Sequence, residues 1–444
     1  MFTSIKLKNY KSLVDLEVSF LKNKKKVKKA VIIYGENGSG KSNFASAFYT
    51  LNESMQTLSI RKIIKDFLEK EDEHDGTYLN KMKFFKMISN GFKDTESIIK
   101  NYKTINSKEN MRMEFNFILD DSKAGTYILE YNDKQIVHER LEYVLNKNKG
   151  LFYDISDGNI NINKKIFLND EYEQEIKDLL DKYKGKHSFL SVIYNEREEK
   201  ANDYIKERIH PRLLEVFNFF NRLSVRVKNG NRGEFGKIGL SHTILKELDE
   251  GKIHASDEDV LNNTQELLNE FFTKTYSDIK QVYYQKTRKD DAIEYKLFFK
   301  KKIYNKIIDI EYTMESTGTQ HLLDILPFLL MSVKGNVVVI DELDTGIHDL
   351  LVENILNNVI NSINGQLIVT THNTMLLDSE NINPEYIYTI MVDQNANKEM
   401  HSIVDFEDRT HPNISYKNRY IHGVYGGAPV LGSIDFDELN DIIK

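Results

Sequence analysis

The chain has 444 residues and no cysteine, so it has room for a large core and more than one structural unit, and no disulfide framework holds it together. Its 68 acidic residues outnumber 61 basic ones, and a net charge of −7 argues against a basic nucleic-acid binder over the whole surface. No apolar run approaches the ~20 residues that span a bilayer, and the first segment, MFTSIKLKNYKS, lacks the apolar core of a signal peptide; a cytoplasmic protein with no membrane partner is expected.

Residues 21–30, LKNKKKVKKA, crowd six lysines between the first strand and the next. They read either as a solvated hairpin tip that keeps a sheet edge soluble or as a contact to a nucleic-acid backbone. The solvated tip is favoured, because isolated charge runs mostly face water. The stretch VIIYGENGSGKSNF, 31 to 44, follows. Val31 to Tyr34 predict a buried strand and Asn43 to Leu51 a helix, with a G-x-x-x-x-G-K-[ST] turn between them. Glycines at that spacing let successive N–H groups wrap phosphate oxygens, and the helix adds its positive end. Gly35, Asn37, Gly38, Ser39, Gly40, Lys41, Ser42 and Asn43 are therefore the expected phosphate-binding residues. Lys41 would reach the β- and γ-phosphates, and the Ser42 hydroxyl would meet Mg²⁺.

Residues 56–110 carry apolar residues at helical spacing, with the acidic stretch EKEDEHDG inside, and predict a helical insertion. Residues 111–165 alternate like the strands of an antiparallel lobe, and 170–285 turn helical again. Within the latter, Val260, Leu267, Phe271, Ile279 and Val282 fall near one helical stripe. Residues 291–312 alternate like a hairpin. Ser316 and Gly318 then precede an apolar helix, a second helix N-terminus able to hold an anion. One ATP cannot use both termini within a subunit, whereas the ATP of a second subunit can. NVVVIDELDTGIHDLL, 336 to 351, is an apolar strand ending in Asp341 and Glu342. The first acid can hold Mg²⁺ and the second can orient water. QLIVTTHNTMLLD, 366 to 378, ends its strand in Thr370, Thr371 and His372, and a histidine there can donate to a γ-phosphate.

Together these motifs, in this order, resemble an ABC-type ATPase head. The fold implied is α/β: a P-loop mixed sheet flanked by helices, with an antiparallel β-lobe and helical insertions. The long gap between the two halves resembles the SMC, RecF and OLD branch, as does SIKLKNYKSL at the start. THNTMLLD and the tail NRYIHGVYGGAPVLGSIDF look closest to the AAA15-type stand-alone ATPases of abortive-infection and anti-phage systems, such as AbiLi, RloA and the ATPase of PARIS. The resemblance covers residues 1–55, about 110–165 and about 300–444. It implies lobe I at 1–165, with its insertion at about 56–110, a helical insertion at 166–290, and lobe II at 291–444.

By resemblance, Lys41 and Ser42 take phosphates and Mg²⁺, Asp341 is the metal-side acid, Glu342 the general base and His372 the switch histidine. Ser316 and Gly318 resemble the signature that caps the ATP of the opposite subunit, and Asp344 the residue at the dimer seam. Asn9 and Lys11 are expected near the nucleotide. Gln135 is a candidate for a Mg²⁺-side glutamine, with Glu139 as its substitute, although either also reads as a surface polar residue. The implied protein is an ATPase that joins as a homodimer or higher homo-oligomer around ATP and Mg²⁺ and controls a separate effector, a nuclease or toxin. A RecF-like repair clamp holding nucleic acid, and an ATP-bound scaffold storing a toxic partner, are the alternatives.

Overall fold

The computed structural model describes residues 1–22, 26–62, 94–119, 123–228, 234–239, 245, 247–407, 414–429 and 432–443. The acidic stretch expected inside the first insertion, along with Lys24 and Lys25, lies outside them.

β1 (Phe2–Tyr10) and β2 (Leu13–Ser19) pair antiparallel, and β1 alternates buried with half-buried residues because only one face meets the core. β3 (Leu21–Lys22) and β4 (Lys26–Val27) form a short hairpin stem. β5 (Ala30–Tyr34) is buried along its whole length, and α1 (Lys41–Ser54) leaves the turn after it. Past α2 (Thr95–Tyr102) come β6 (Met111–Leu119), β7 (Lys123–Tyr131), β8 (Ile136–Val144), β9 (Lys149–Ser156) and β10 (Asn159–Ile162). These join β1 and β2 in a seven-stranded antiparallel sheet, ordered β10-β9-β8-β7-β6-β1-β2.

Four helices follow: α3 (Asp170–Lys182), α4 (Phe189–Glu199), α5 (Asn202–Lys206) and α6 (Pro211–Asn221). The chain then leaves the expected helical pattern. β11 (Ser224–Lys228), β12 (Glu234–Lys237) and β13 (Glu250–His254) precede α7 (Glu258–Thr275), and β14 (Ile279–Lys289) follows it. The 166–290 segment is therefore mixed rather than helical. Ile279 and Val282 lie on β14, not on the α7 stripe. Their distance from Phe271 suits a helix only if the helix runs on, and it stops at Thr275. Instead α7 lies across the strand: Asn269 Oδ1 accepts from Val282 N at 2.9 Å and Gln265 Oε1 from Tyr284 N at 2.8 Å. β15 (Ala292–Ile303) pairs with β13, β14 and β16 (Lys306–Glu311), so residues 291–312 do form a hairpin.

The last third supplies α8 (Thr317–Val333), β17 (Val337–Ile340), α9 (Asp349–Ser362), β18 (Gln366–Thr370), β19 (Ile387–Val392), β20 (Lys398–Ser402), α10 (Tyr416–Ile421) and α11 (Phe436–Ile442). The central sheet runs β12-β11-β17-β18-β5-β19-β20. Its five inner strands are parallel and its two edges antiparallel. Inner strands buried on both faces read as unbroken apolar runs, which is why β5, β17 and β18 were legible. Successive β5 residues serve different cores: Val31 and Ile33 pack toward the antiparallel lobe, and Ala30, Ile32 and Tyr34 toward α8 and α9. No helix among the described residues is long and apolar enough to cross a membrane.

Three of the six lysines of the lysine-rich connection are committed within the chain. Lys28 is buried and donates to Tyr388 OH at 2.8 Å, Lys29 donates to Ile363 O at 2.8 Å, and Lys22 pairs with Glu385 at 2.9 Å.

Candidate functional site

Parallel strands all point their carboxyl ends the same way, so β5, β17 and β18 bring their tips to one edge. The loop after β5 turns through Gly38 at φ 84° and Gly40 at φ 106°, conformations that L side chains rarely adopt. Gly40 also lies so close to Leu13 that a Cβ would stand 2.9 Å from its Cδ2. Lys41 Nζ donates to the carbonyls of Gly35 (2.6 Å) and Glu36 (3.0 Å), which hold the ammonium over its own loop. Burial lowers the Lys41 pKa, and the nearby Asp341 and Glu342 carboxylates oppose that shift. A short cleft of about 150 Å³ is lined by Asn37, Gly38, Gly40, Lys41, Ser42, Asn43, Glu342 and His372. Ser39 lies beneath it, fully buried.

Asp341, only 2 % exposed, lies behind the cleft. Its Oδ1 accepts from Thr370 Oγ1 at 2.6 Å, and it hydrogen bonds with Ser42. Burial raises its pKa, while those hydrogen bonds pull the other way. A carboxylate and a hydroxyl facing one another form a hard oxygen pair suited to Mg²⁺, which binds through one or two carboxylates plus phosphate oxygens. Among the described residues no cluster of three or more His, Cys, Asp or Glu could hold a metal ion by itself.

Glu342 stands in the left-handed region at φ 50°, a strain of about 1–3 kcal/mol. Thr370 holds it there: its hydroxyl accepts from Glu342 N at 2.8 Å, and its carbonyl accepts from Leu343 N at 3.0 Å. The carboxylate of Glu342 meets the ammonium of Lys228 and the hydroxyl of Thr345, the latter at 3.3 Å. Burial alone would raise the Glu342 pKa, but Lys228, Thr345 and His372 together outweigh it and the net shift is downward. His372 is exposed at the mouth. Burial and then the Lys41 charge depress its pKa, which favours the neutral ring. Its backbone N–H donates to Asp344 Oδ2 at 3.0 Å, tying the strand tip to the turn after Glu342.

The signature pair behaves differently. Ser316 is exposed and caps α8, accepting from Thr319 N at 3.2 Å. Gly318 is buried against the turn carrying Asp344, where a Cβ would come within 2.3 Å of Gly346 O. Neither residue lines the cleft. Asn9 and Lys11 stay outside it as well: Asn9 donates to Asn110 O at 3.2 Å, and the Lys11 ammonium lies 5.0 Å from the Tyr102 ring. Ser12, one residue on, accepts from Asn43 at 2.7 Å. Gln135 packs beside Gly185. Glu139 is no surface residue. It is buried in the core, accepting from Tyr127, Tyr153 and Phe189 N at 2.9, 2.9 and 2.6 Å.

Sequence reasoning missed Lys228, Thr345 and Lys398, and gave Thr370 no role. Lys398, 9 % exposed, reaches under the loop to donate to Gly38 O at 3.0 Å and to Ser12 at 2.6 Å. Lys228 left little local signal, since SVRVK merely alternates two valines with Ser224, Arg226 and Lys228 over five residues.

The family model described as "AAA domain, putative AbiEii toxin, Type IV TA system" matches residues 30–378. Among solved structures, the chain is similar to an Smc head bound to the C-winged helix domain of ScpA, at 14 % identity over 90 % of this chain and 97 % of that one, with a TM-score of 0.41. It is similar to a Pyrococcus yayanosii Smc head with a coiled coil and joint at 11 % identity, over 90 % and 96 % of the two chains, with a TM-score of 0.40. For the recombination mediator RecF with ATPrS, the corresponding figures are 10 % identity, 90 %, 98 % and a TM-score of 0.36. No curated protein sequence matches the chain.

Proposed function

Because the chain belongs to this AAA-domain family, whose model spans residues 30–378, we propose that it binds and hydrolyses ATP as an ABC-type head that pairs with a second copy around the nucleotide. One observation carries the reading: Lys41, Ser42, Glu342 and His372, far apart in the sequence, line one cleft, and buried Asp341 backs it through its hydrogen bond with Ser42. The loop from Gly35 to Ser42 offers N–H groups to the phosphates, and Lys41 offsets the charge that grows on the γ-phosphate. Glu342 orients the attacking water, and neutral His372 donates a hydrogen bond to the γ-phosphate. Ser42 and Asp341 would hold Mg²⁺, which when bound supplies positive charge to the β- and γ-phosphate oxygens. Ser316 and Gly318 lie off the cleft of their own chain, which supports a role toward the ATP of a second copy, with Asp344 at the seam.

In the cell, the proposed role is ATP-dependent control of a separate effector, a nuclease or toxin, in anti-phage defence. The family description, a putative AbiEii toxin of a Type IV TA system, supports a place in a toxin system, and the commitment of Lys22, Lys28 and Lys29 to partners within the chain leaves less of the basic run for nucleic acid. The test is purification from the native host as wild type and as Glu342→Gln, with and without ATP. A protein partner whose retention follows the nucleotide supports the proposal; retention of nucleic acid alone contradicts it.

A further inference from the structure

Lys228 ends β11, 113 residues before Asp341 in the chain, and belongs to none of the motifs that mark the nucleotide site. The parallel pairing of β11 with β17 matches Arg226 with Ile340, so the residues just beyond each strand share one edge of the sheet. Lys228 uses that position twice. Its backbone N–H faces Asp341 Oδ2 at 3.4 Å, and its ammonium contacts Glu342 Oε2. The same ammonium donates to Thr345 Oγ1 at 3.2 Å, and Thr345 in turn reaches Glu342 Oε2 at 3.3 Å. One carboxylate oxygen of Glu342 is thus held by a triangle of Lys228, Thr345 and itself. The other, Oε1, has no hydrogen-bond partner among the described residues, and Glu342 lines the cleft.

We infer that Lys228 is a positioning residue for hydrolysis: it fixes the Glu342 carboxylate by one oxygen so that the other is presented to the attacking water. The inference rests on the reading of Glu342 as the water-orienting base. A carboxylate on a residue at φ 50° has a long, rotatable side chain, and without an anchor it samples orientations that miss the water. An ammonium on a flexible stem, itself half-exposed, suits this task because it can follow the carboxylate as the nucleotide enters. Supporting groups of this kind typically change activity about 10–100-fold when removed.

The experiment compares steady-state ATP hydrolysis and binding of a fluorescent ATP analogue for the full chain as wild type, Lys228→Met, Lys228→Arg, Glu342→Gln and the Lys228→Met/Glu342→Gln double variant. The expected result is a kcat about 10-fold or more lower for Lys228→Met, with KM and analogue affinity within about 3-fold of wild type, and substantial recovery in Lys228→Arg. In the Glu342→Gln background, Lys228→Met should lower the residual rate no further, because the group it positions is gone. A rise in kcat for Lys228→Met, or an equal loss in both backgrounds, overturns the inference. Analogue binding reports folding of every variant. If Glu342→Gln itself hydrolyses ATP at the wild-type rate, the base reading fails, and that outcome is separate from any effect of Lys228.

Discussion

Two helix N-termini of this chain, α1 at the phosphate loop and α8 at Ser316, are built to opposite plans. Around α1 the polar groups converge: Lys41 on its loop carbonyls, Asp341 on Thr370 and Ser42, Glu342 on Lys228 and Thr345, Lys398 beneath Gly38. Around α8 the backbone is pinned while the side chains face outward. Gly318 is pressed on Gly346, but Ser316 and Thr317 are exposed, and Ser316 makes its bonds to its own helix. On the proposed reading, one end is a site that closes on phosphates by itself. The other is an exposed end that packs on the Asp344 turn, and so neighbours the His372 strand tip, and on the proposed reading it serves a second copy. The contrast suggests that nucleotide binding depends mainly on α1, whereas turnover depends on both.

Substitutions at the two ends should therefore separate binding from turnover. Lys41→Ala is expected to have the largest effect, weakening ATP-analogue binding by about 100-fold, since a charge-assisted contact to the phosphates is worth roughly 1.5–3 kcal/mol; fluorescence titration measures it. Ser316→Arg should leave that affinity within about 3-fold while hydrolysis falls on the order of 100-fold, the scale of losing a preorganised donor at the transition state. Equal losses of binding and turnover would mean that Ser316 serves its own subunit or only the fold.

These contrasts were unevenly legible in the sequence. The phosphate loop, Asp341, Glu342 and His372 follow buried parallel strands, and such strands announce themselves as apolar runs ending in a polar tip. β11 did not, because a five-residue strand in which Val225 and Val227 alternate with polar residues carries too little pattern to separate from the helix before it, and so Lys228 went unseen. Ile279 and Val282 continued a helical period only by accident, past the end of α7 at Thr275. Glu139 read as polar surface, yet it sits in the core because Tyr127, Tyr153 and Phe189 N supply its donors. Partners so distant in sequence leave no local trace.

Two smaller effects sharpen the comparison. Thr370→Val keeps the side-chain shape but removes the hydroxyl shared by Asp341 and Glu342 N, so kcat should drop about 10-fold with little change in analogue affinity; steady-state kinetics decide. Gly318→Ala places a Cβ against Gly346 O, a backbone atom that cannot swing aside. It should destabilise the chain by about 1–3 kcal/mol, seen as a lower thermal midpoint, while the phosphate loop still binds the analogue.

The pairing of two heads around ATP is tested most directly by the mass of Glu342→Gln in solution. Without its water-orienting carboxylate the variant should bind ATP and fail to hydrolyse it, so light scattering with ATP and Mg²⁺ should give a species of about twice the monomer mass, or a higher multiple, that reverts when nucleotide is withdrawn. A variant that stays monomeric with ATP bound would contradict the composite site.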